Sequence, residues 1–303
     1  MLKPFPQYSG LTDEVDAVSN SNYHSLQLSI NQRMSHGLTM MLNYTFSKSL
    51  DNAGTFRSGY AIPANVSADG KAYAQGKADY SLSGFDQRQD LKGTATYDLP
   101  FGRGHIGADN AFVRAVAGGW RLSGIFTYIG GNPLAIVQGT CTGNSVGEQC
   151  MPVLTPGFTG SARQNGGWGH GATRDTLSSL QYINPAAFTL SGTGCQSPCP
   201  LSNPYVIGNA ARTAPYGLRG PGNYNIDSSI RRTFDLWNKE NVKFVLEASA
   251  FNTGNHVWFG STSPNGAGGA IGQSFTGTGT AFGAVTGQAN NPRQYQFAGH
   301  LNF

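Results

Sequence analysis

Nonpolar and polar residues alternate with a period of two in seven stretches of this chain, the repeat of a β-strand whose two faces meet different surroundings. The clearest spans residues 38–47: Leu38, Met40, Leu42, Tyr44 and Phe46 share one face, and Thr39, Met41, Asn43, Thr45 and Ser47 the other. Before it, Leu26, Leu28 and Ile30 alternate with Ser25, Gln27, Ser29 and Asn31, and Ser35, His36 and Gly37 between the two stretches predict a tight hairpin. Further strands are predicted around Leu91, Gly93, Ala95, Tyr97 and Leu99, and around Trp120, Leu122, Gly124, Phe126 and Tyr128. Three more follow Tyr224, Ile226, Ile230 and Phe234; Val242, Phe244, Leu246, Ala248 and Ala250; and Tyr295, Phe297, Leu301 and Phe303. No amphipathic helix competes with them. Each stretch is close to the about 9–11 residues of a tilted membrane-crossing strand, and longer than the about 5–6 residues usual in soluble strands.

The links between strands alternate in length. Those at 35–37, 100–119 and 235–241 are short or medium, and those at 48–90, 138–223 and 252–293 are long. Structureless loops beyond about 12–15 residues are uncommon in compact soluble domains, whereas outer-membrane barrels pair short periplasmic turns with long extracellular loops. A periplasmic C-terminus puts every long link outside and every shorter one inside. Aromatics follow the same division: Phe101, Trp120, Phe234, Trp237 and Phe303 fall at the inner strand ends, and Tyr44, Phe46, Phe126, Tyr128, Tyr224 and Tyr295 toward the outer ends. Two such belts are what the interfaces of a bilayer select, although aromatics also favour strands in general. Arg232 falls on the nonpolar face near the inner rim, where a long cationic side chain snorkels. The fold expected is all-β, an antiparallel transmembrane β-barrel segment of about seven strands with long extracellular loops.

Composition narrows the alternatives. Only 12% of residues are charged, about half the usual ~25%, and 42 of 303 are glycine, roughly twice the usual ~7%. The net charge of +4 comes without a Lys/Arg cluster, which argues against a nucleic-acid partner. Aromatics at 11% and the low net charge argue against disorder. No nonpolar run approaches the ~20 residues of a membrane-spanning helix. Residues 1–22 lack the cationic start and nonpolar stretch of a secretory signal.

Seven runs of this chain resemble the C-terminal β-barrel of TonB-dependent outer-membrane transporters, specifically their Oar-like branch. They are KPFPQYSG (3–10), SNYHSLQLSINQRMSHGLTMMLNYTFSKSLDN (21–52), FDQRQDLKGTATYDLPFGRG (85–104), GGWRLSGIFTYIGGNPL (118–134), RGPGNYNIDSSIRRTF (219–234), EASAFNTGNH (247–256) and NPRQYQFAGHLNF (291–303). They cover well over a third of the chain and fall mainly on the strands found by alternation. Val257 after His256 departs from the family's usual proline. The resemblance implies a barrel of about 22 strands with a plugged lumen, preceded by a β-sandwich, a plug and a TonB-contacting segment. Seven strands are too few and odd in number for such a barrel, so residues 1–303 are expected to be one partial domain, the C-terminal part of a longer transporter. That expectation also accounts for the missing signal.

Tyr295, Phe297, Leu301 and the terminal Phe303, at period two, resemble the insertion signal read by the barrel-assembly machinery. The physical basis is an edge strand whose alternate side chains fill pockets; an ordinary amphipathic last strand is the alternative. Cys141, Cys150, Cys195 and Cys199 all lie in one long link. Oxidising surroundings would favour the local pairs Cys141–Cys150 and Cys195–Cys199, although four cysteines permit three connectivities, and the spacing fits no common zinc pattern. The six histidines show no ligand spacing, and the glycine-rich run 266–287 reads as a flexible loop, not a phosphate cradle. Asp79, Asp86 and Asp90, with Lys77 and Arg88, read as a solvated loop, with calcium as the sharper alternative. No catalytic constellation and no cofactor motif stands out. On the polar face, Arg231, Lys243 and Glu247 form a set of lumen charges, with Arg231 diagonal to Glu247 across the hairpin.

The function expected is therefore that of a transporter part. It would sit in outer-membrane lipid, be assembled by the barrel machinery, and meet the TonB complex only through a plug outside these residues. The substrate stays open among small molecules, oligosaccharides and peptides. The alternatives are a surface binding or adhesion protein of the same architecture, and a soluble β-sandwich that stacks carbohydrate on Trp168, Trp258 and the tyrosines.

Overall fold

The computed structural model describes residues 20–52, 80–101, 116–138, 152–164, 181–190, 209–236, 242–260, 271–275, 282–285 and 287–303. Seven long strands run in chain order: β1 (Ser21–Ser35), β2 (Leu38–Asp51), β3 (Gln89–Asp98), β4 (Trp120–Ile129), β5 (Asn223–Asp235), β6 (Lys243–Phe251) and β7 (Gln294–Asn302). Each pairs antiparallel with its neighbour in sequence, so spatial order repeats chain order. A two-residue strand, Ser81–Leu82, adds an eighth member opposite the end of β2, and alternation over so short a piece leaves no trace in the sequence. The sheet does not close, and β1 and β7 are its edges.

Local chemistry explains the β1–β2 hairpin. His36 and Gly37 both take positive φ, 51° and 81°, as the favoured two-residue hairpin turn requires. A Cβ on Gly37 would lie 2.9 Å from the Asp98 carbonyl oxygen, so glycine is needed there for space as well as for φ. Just before the turn the register shifts: Gln32 faces Met40 and Ser35 faces Leu38, leaving Arg33 and Met34 opposite Thr39 alone, a bulge that adds twist at the sheet edge.

The registers carry one row of nonpolar side chains after another across the sheet. Leu28, Tyr44, Leu91, Tyr128 and Tyr224 are successive cross-strand partners on five strands. The row Tyr97, Leu122, Ile230, Ala248 and Phe297 continues the same face to β7. Among the described residues, the sheet's buried positions are confined to Ser47, Ser49, Asp51 and Ser81. Nothing in the described chain covers the nonpolar face: Leu26, Leu28, Ile30, Phe297 and Leu301 are each more than half exposed. A sandwich would need a second sheet on that face, and among the described residues none lies there.

The hydrophobic core sits elsewhere. It is built from the long links, on the end of the sheet where β2, β4 and β6 finish: Leu134, Ile136, Tyr182, Ile183, Phe188, Leu218, Phe259, Ile271, Phe275, Phe282 and Val285 pack together there. Short ladders tie this cap, with Val137–Gln138 parallel to Ser274–Phe275 and Val153–Leu154 antiparallel to Phe188–Thr189. The glycine-rich run, expected to be a flexible loop, instead contributes Ile271, Phe275, Phe282 and Val285 to that core, because its few large nonpolar residues have other links to pack against.

The cap and the sheet meet at a tight crossing. A Cβ on Gly131, just beyond β4, would fall far inside van der Waals contact with the Gly220 carbonyl oxygen. Gly131→Ala is therefore expected to push the links apart where they leave the sheet. Limited proteolysis should show faster cleavage within residues 130–222, with the strands still protected.

Candidate functional site

Two ion pairs, each with a buried carboxylate, fasten the cap to the polar side of the sheet around the end of β2. In β2 the odd-numbered residues face away from the nonpolar rows, and the last three of them, Ser47, Ser49 and Asp51, are buried under the cap. Arg212 donates through Nη2 to the Asp51 carboxylate and, at 2.9 Å, to the Asp51 backbone carbonyl. Arg219 donates to the Asp86 carboxylate and, at 3.3 and 3.2 Å, to the carbonyls of Asp86 and Gly131. The Asp86 carboxylate also accepts from the Ser49 backbone N–H at 2.5 Å. Hydroxyls complete the joint: Ser49 meets Ser83 at 2.8 Å, Ser81 meets Thr213 at 3.0 Å, and Thr213 donates to the Leu82 carbonyl. Asp86, expected in a solvated loop, is 1% exposed; a carboxylate so buried is stable because it is paired and hydrogen-bonded.

The cap is joined from within by further polar contacts. Gln273 accepts from the Ala135 backbone at 2.8 Å, and Tyr182 donates to the Arg219 carbonyl at 2.6 Å. Burial pushes the Tyr182 phenol above its ordinary pKa, so it remains a donor at neutral pH, although the nearby Arg163 opposes the shift. The Arg163 guanidinium lies 5.1 Å from the Tyr182 ring centroid. Ala214 and Tyr216 hold left-handed backbone, with φ of 51° and 55°, uncommon for residues other than glycine. Tyr216 packs against Phe158 and Phe188 at ring separations of 5.9 and 5.7 Å.

An asparagine knot pins the third long link where it leaves β6. Asn252 and Asn255 take positive φ, 49° and 48°, which asparagine tolerates better than most residues. The Asn252 amide donates to the carbonyls of His256 and Asn291, both at 3.0 Å, and its oxygen accepts from the His256 backbone at 2.9 Å. Asn290 donates to the His256 carbonyl at 2.7 Å and accepts from the Trp258 backbone at 2.8 Å. The His256 ring stacks on Tyr224, with 3.9 Å between centroids.

At the opposite end of the sheet, the polar face carries a row of charges. Asp98, Arg121, Arg231 and Glu247 are successive cross-strand partners on β3 to β6. Arg231 thus lies directly opposite Glu247 rather than diagonal to it, because β5 and β6 pair without a shift and Asp235 meets Lys243. The ion pair in this row is Arg121–Asp98, with N–O distances of 2.5 and 3.0 Å, while Glu247 accepts from Ser249 at 3.1 Å. Lys243 faces Asp235 on one side and Asn302 on the other. Arg232, on the nonpolar face, lies 4.5 Å from the Phe234 centroid and 5.8 Å from that of Trp120, and donates to the Val116 carbonyl at 3.0 Å.

Tyr295, Phe297 and Leu301 stand on the nonpolar face of β7, opposite Ala250, Ala248 and Phe244. Phe303 follows the strand and is 98% exposed. Cys141, Cys150, Cys195 and Cys199 lie outside the described residues, as do Asp79, Lys77, Trp168 and Trp237. Among the described residues, no group of three or more His, Cys, Asp or Glu is placed to hold a metal ion.

Alternation does not single out the cap contacts, although several of their residues stand inside the quoted runs: Asp51 in 21–52, Asp86 in 85–104, Arg219 in 219–234 and Asn252 in 247–256. Arg212, Arg163 and Tyr216 stand in no such run. A family model described as outer membrane beta barrel domain matches residues 1–296. No match was found among curated proteins or among solved structures.

Replacing Arg212 with Met leaves the Asp51 carboxylate buried without this partner, and breaking such a pair costs about 3–5 kcal/mol. Hydrogen exchange should rise across 209–219 and 81–86 while β3 to β6 keep their protection. The His256 imidazole is held below its ordinary pKa by burial. The unfolded link therefore binds the proton more tightly, so the knot is fully stable above about pH 6.5 and loses stability as pH falls below that value. Protection factors at 252–258, taken against the intrinsic exchange rate at each pH, should fall between pH 7.5 and 5 in the natural chain, and much less in His256→Phe.

Proposed function

Since the chain belongs to the outer membrane beta barrel domain family and resides in the outer membrane, we propose that it forms part of the barrel wall and the outer cap of a TonB-dependent transporter of the Oar-like kind. The observation that carries this reading is the division of the sheet into two faces. One is nonpolar across all seven strands and uncovered; the other is polar and covered at its outer end by folded links. A bilayer supplies the partner that the first face lacks, and a lumen supplies the setting for the second. The motif runs shared with the Oar-like branch support the finer assignment. In this reading the cap meets substrate, the charge row at the inner end of the polar face meets a plug, and the β7 signal residues Tyr295, Phe297, Leu301 and Phe303 meet the barrel-assembly machinery. The protein works as a transporter and not as an enzyme.

The test is genetic. Cells lacking this protein and cells lacking TonB are grown on matched panels of siderophores, oligosaccharides and peptides. Loss of the same nutrient in both strains supports energy-coupled uptake. Loss of surface attachment without any loss of uptake makes the protein an adhesin and removes the transport reading.

The membrane setting gives a quantitative expectation. Ile230 lies midway along β5 on the nonpolar face, between Leu122 and Ala248. Ile230→Arg should destabilise the protein in lipid vesicles by about 2–4 kcal/mol in denaturant titrations. Ser229→Arg, on the other face of the same strand, should cost far less.

A further inference from the structure

We propose that the cap holds a binding pocket for a small carboxylate ligand, with Arg163 as its anion contact and Tyr216 as its stacking surface. The cap carries an open cleft of about 430 Å³ between the segments 160–163 and 216–219. That volume lies within the range of about 300–1,000 Å³ typical of small-molecule sites. Ser161, Arg163, Tyr216 and Arg219 supply its polar lining, and Gly160 and Gly217 bring backbone close to the opening.

The two arginines differ in what they have left to give. Arg219 is committed, since its guanidinium is bound to the Asp86 carboxylate and to two carbonyls. Arg163 lies over the Tyr182 ring, and among the described residues no carboxylate comes within salt-bridge distance of it. Arg163 is exposed at the rim of the cleft, and a guanidinium held by one ring contact leaves its fork of donors for a carboxylate, the group that matches it. Tyr216 supplies the neighbouring surface. Its hydroxyl is bound to the Ala187 carbonyl at 3.2 Å, its ring packs on Phe158 and Phe188, and it remains 44% exposed. The left-handed backbone at Tyr216 stores strain in this wall, and such strain is common at ligand clamps. The ligand so defined carries one carboxylate beside a ring or nonpolar face. A sugar acid and the C-terminus of a short peptide both have that chemistry.

The proposal rests on the cap facing the medium, as in the reading above, and not on transport. It is therefore tested on the full chain in detergent micelles, without TonB. Calorimetric titrations use two matched pairs: galacturonate against its neutral methyl ester, and N-acetylphenylalanine against its amide. One acid should bind at least about tenfold tighter than its neutral partner, as a charged hydrogen bond predicts. The pair that shows the preference identifies the source. Arg163→Gln should abolish the preference, Arg163→Lys should retain part of it, and Tyr216→Leu should weaken binding of the acid. Unchanged hydrogen exchange in 181–190 reports that each variant keeps its cap. Equal binding of acids and neutral partners, a preference that survives Arg163→Gln, or no binding of either acid would each overturn the assignment. Failure of the uptake experiment with this preference intact would remove transport and leave the pocket.

Discussion

Along a strand that crosses hydrocarbon, every backbone N–H and C=O must find its partner on a neighbouring strand, because the surroundings offer none. The antiparallel registers of β1 to β7 meet that requirement between neighbours, and the rest of the architecture follows from it. Once the backbones are paired in register, the pleat sends alternate side chains to opposite sides, so the seven alternating stretches become two continuous surfaces. The nonpolar surface has no protein partner among the described residues. Its side chains are stable because the lipid of the outer membrane removes them from water.

The same constraint moves the hydrophobic core to an unusual place. A sheet that gives its nonpolar face to lipid and its polar face to a lumen has no interior of its own to bury. The nonpolar residues of the long links therefore pack on one another above the sheet, where Tyr182, Phe188, Phe275 and Phe282 form a core with edge-on ring contacts. Such a core is fastened to the sheet at its polar edge. Charge leads that joint: Asp51 at the end of β2 and Asp86 just before β3 present carboxylates, and Arg212 and Arg219 reach down to them from the link that precedes β5. Because both carboxylates are buried, they tolerate little displacement of their partners, and the cap is thereby held at one position on the polar face.

Glycine and asparagine act where the links leave the sheet. Gly131 permits a backbone crossing with Gly220 that no side chain would allow, and Asn252 satisfies backbone groups on both arms of the link between β6 and β7. Both lie at the end of the sheet that carries the cap, where the chain changes from strand to folded link. At the opposite end β1 and β2 are joined by the two-residue turn at His36 and Gly37. The two ends thus differ in what they can do: one holds strands together, and the other builds a cavity lined by Arg163 and Tyr216.

Strands and their facing were legible in the sequence because both depend on neighbours one and two residues apart. The stretch 38–47 showed its two faces without any knowledge of what lay beside it, and the parity of link lengths ordered the strands up and down. Ser81–Leu82 has no signature in the sequence because two residues carry no period, and the register that sets Arg231 directly against Glu247 is a property of the paired strands β5 and β6, not of either alone. The cap was decided by tertiary structure alone. Asp86 and Arg219 are 133 residues apart, and Asp51 and Arg212 are 161 apart. No local rule pairs charges across such distances, and each by itself reads as a solvated loop residue. Their burial follows only after the strands have brought the ends of the long links together, when nonpolar residues scattered through glycine-rich sequence reach a concentration at which they exclude water.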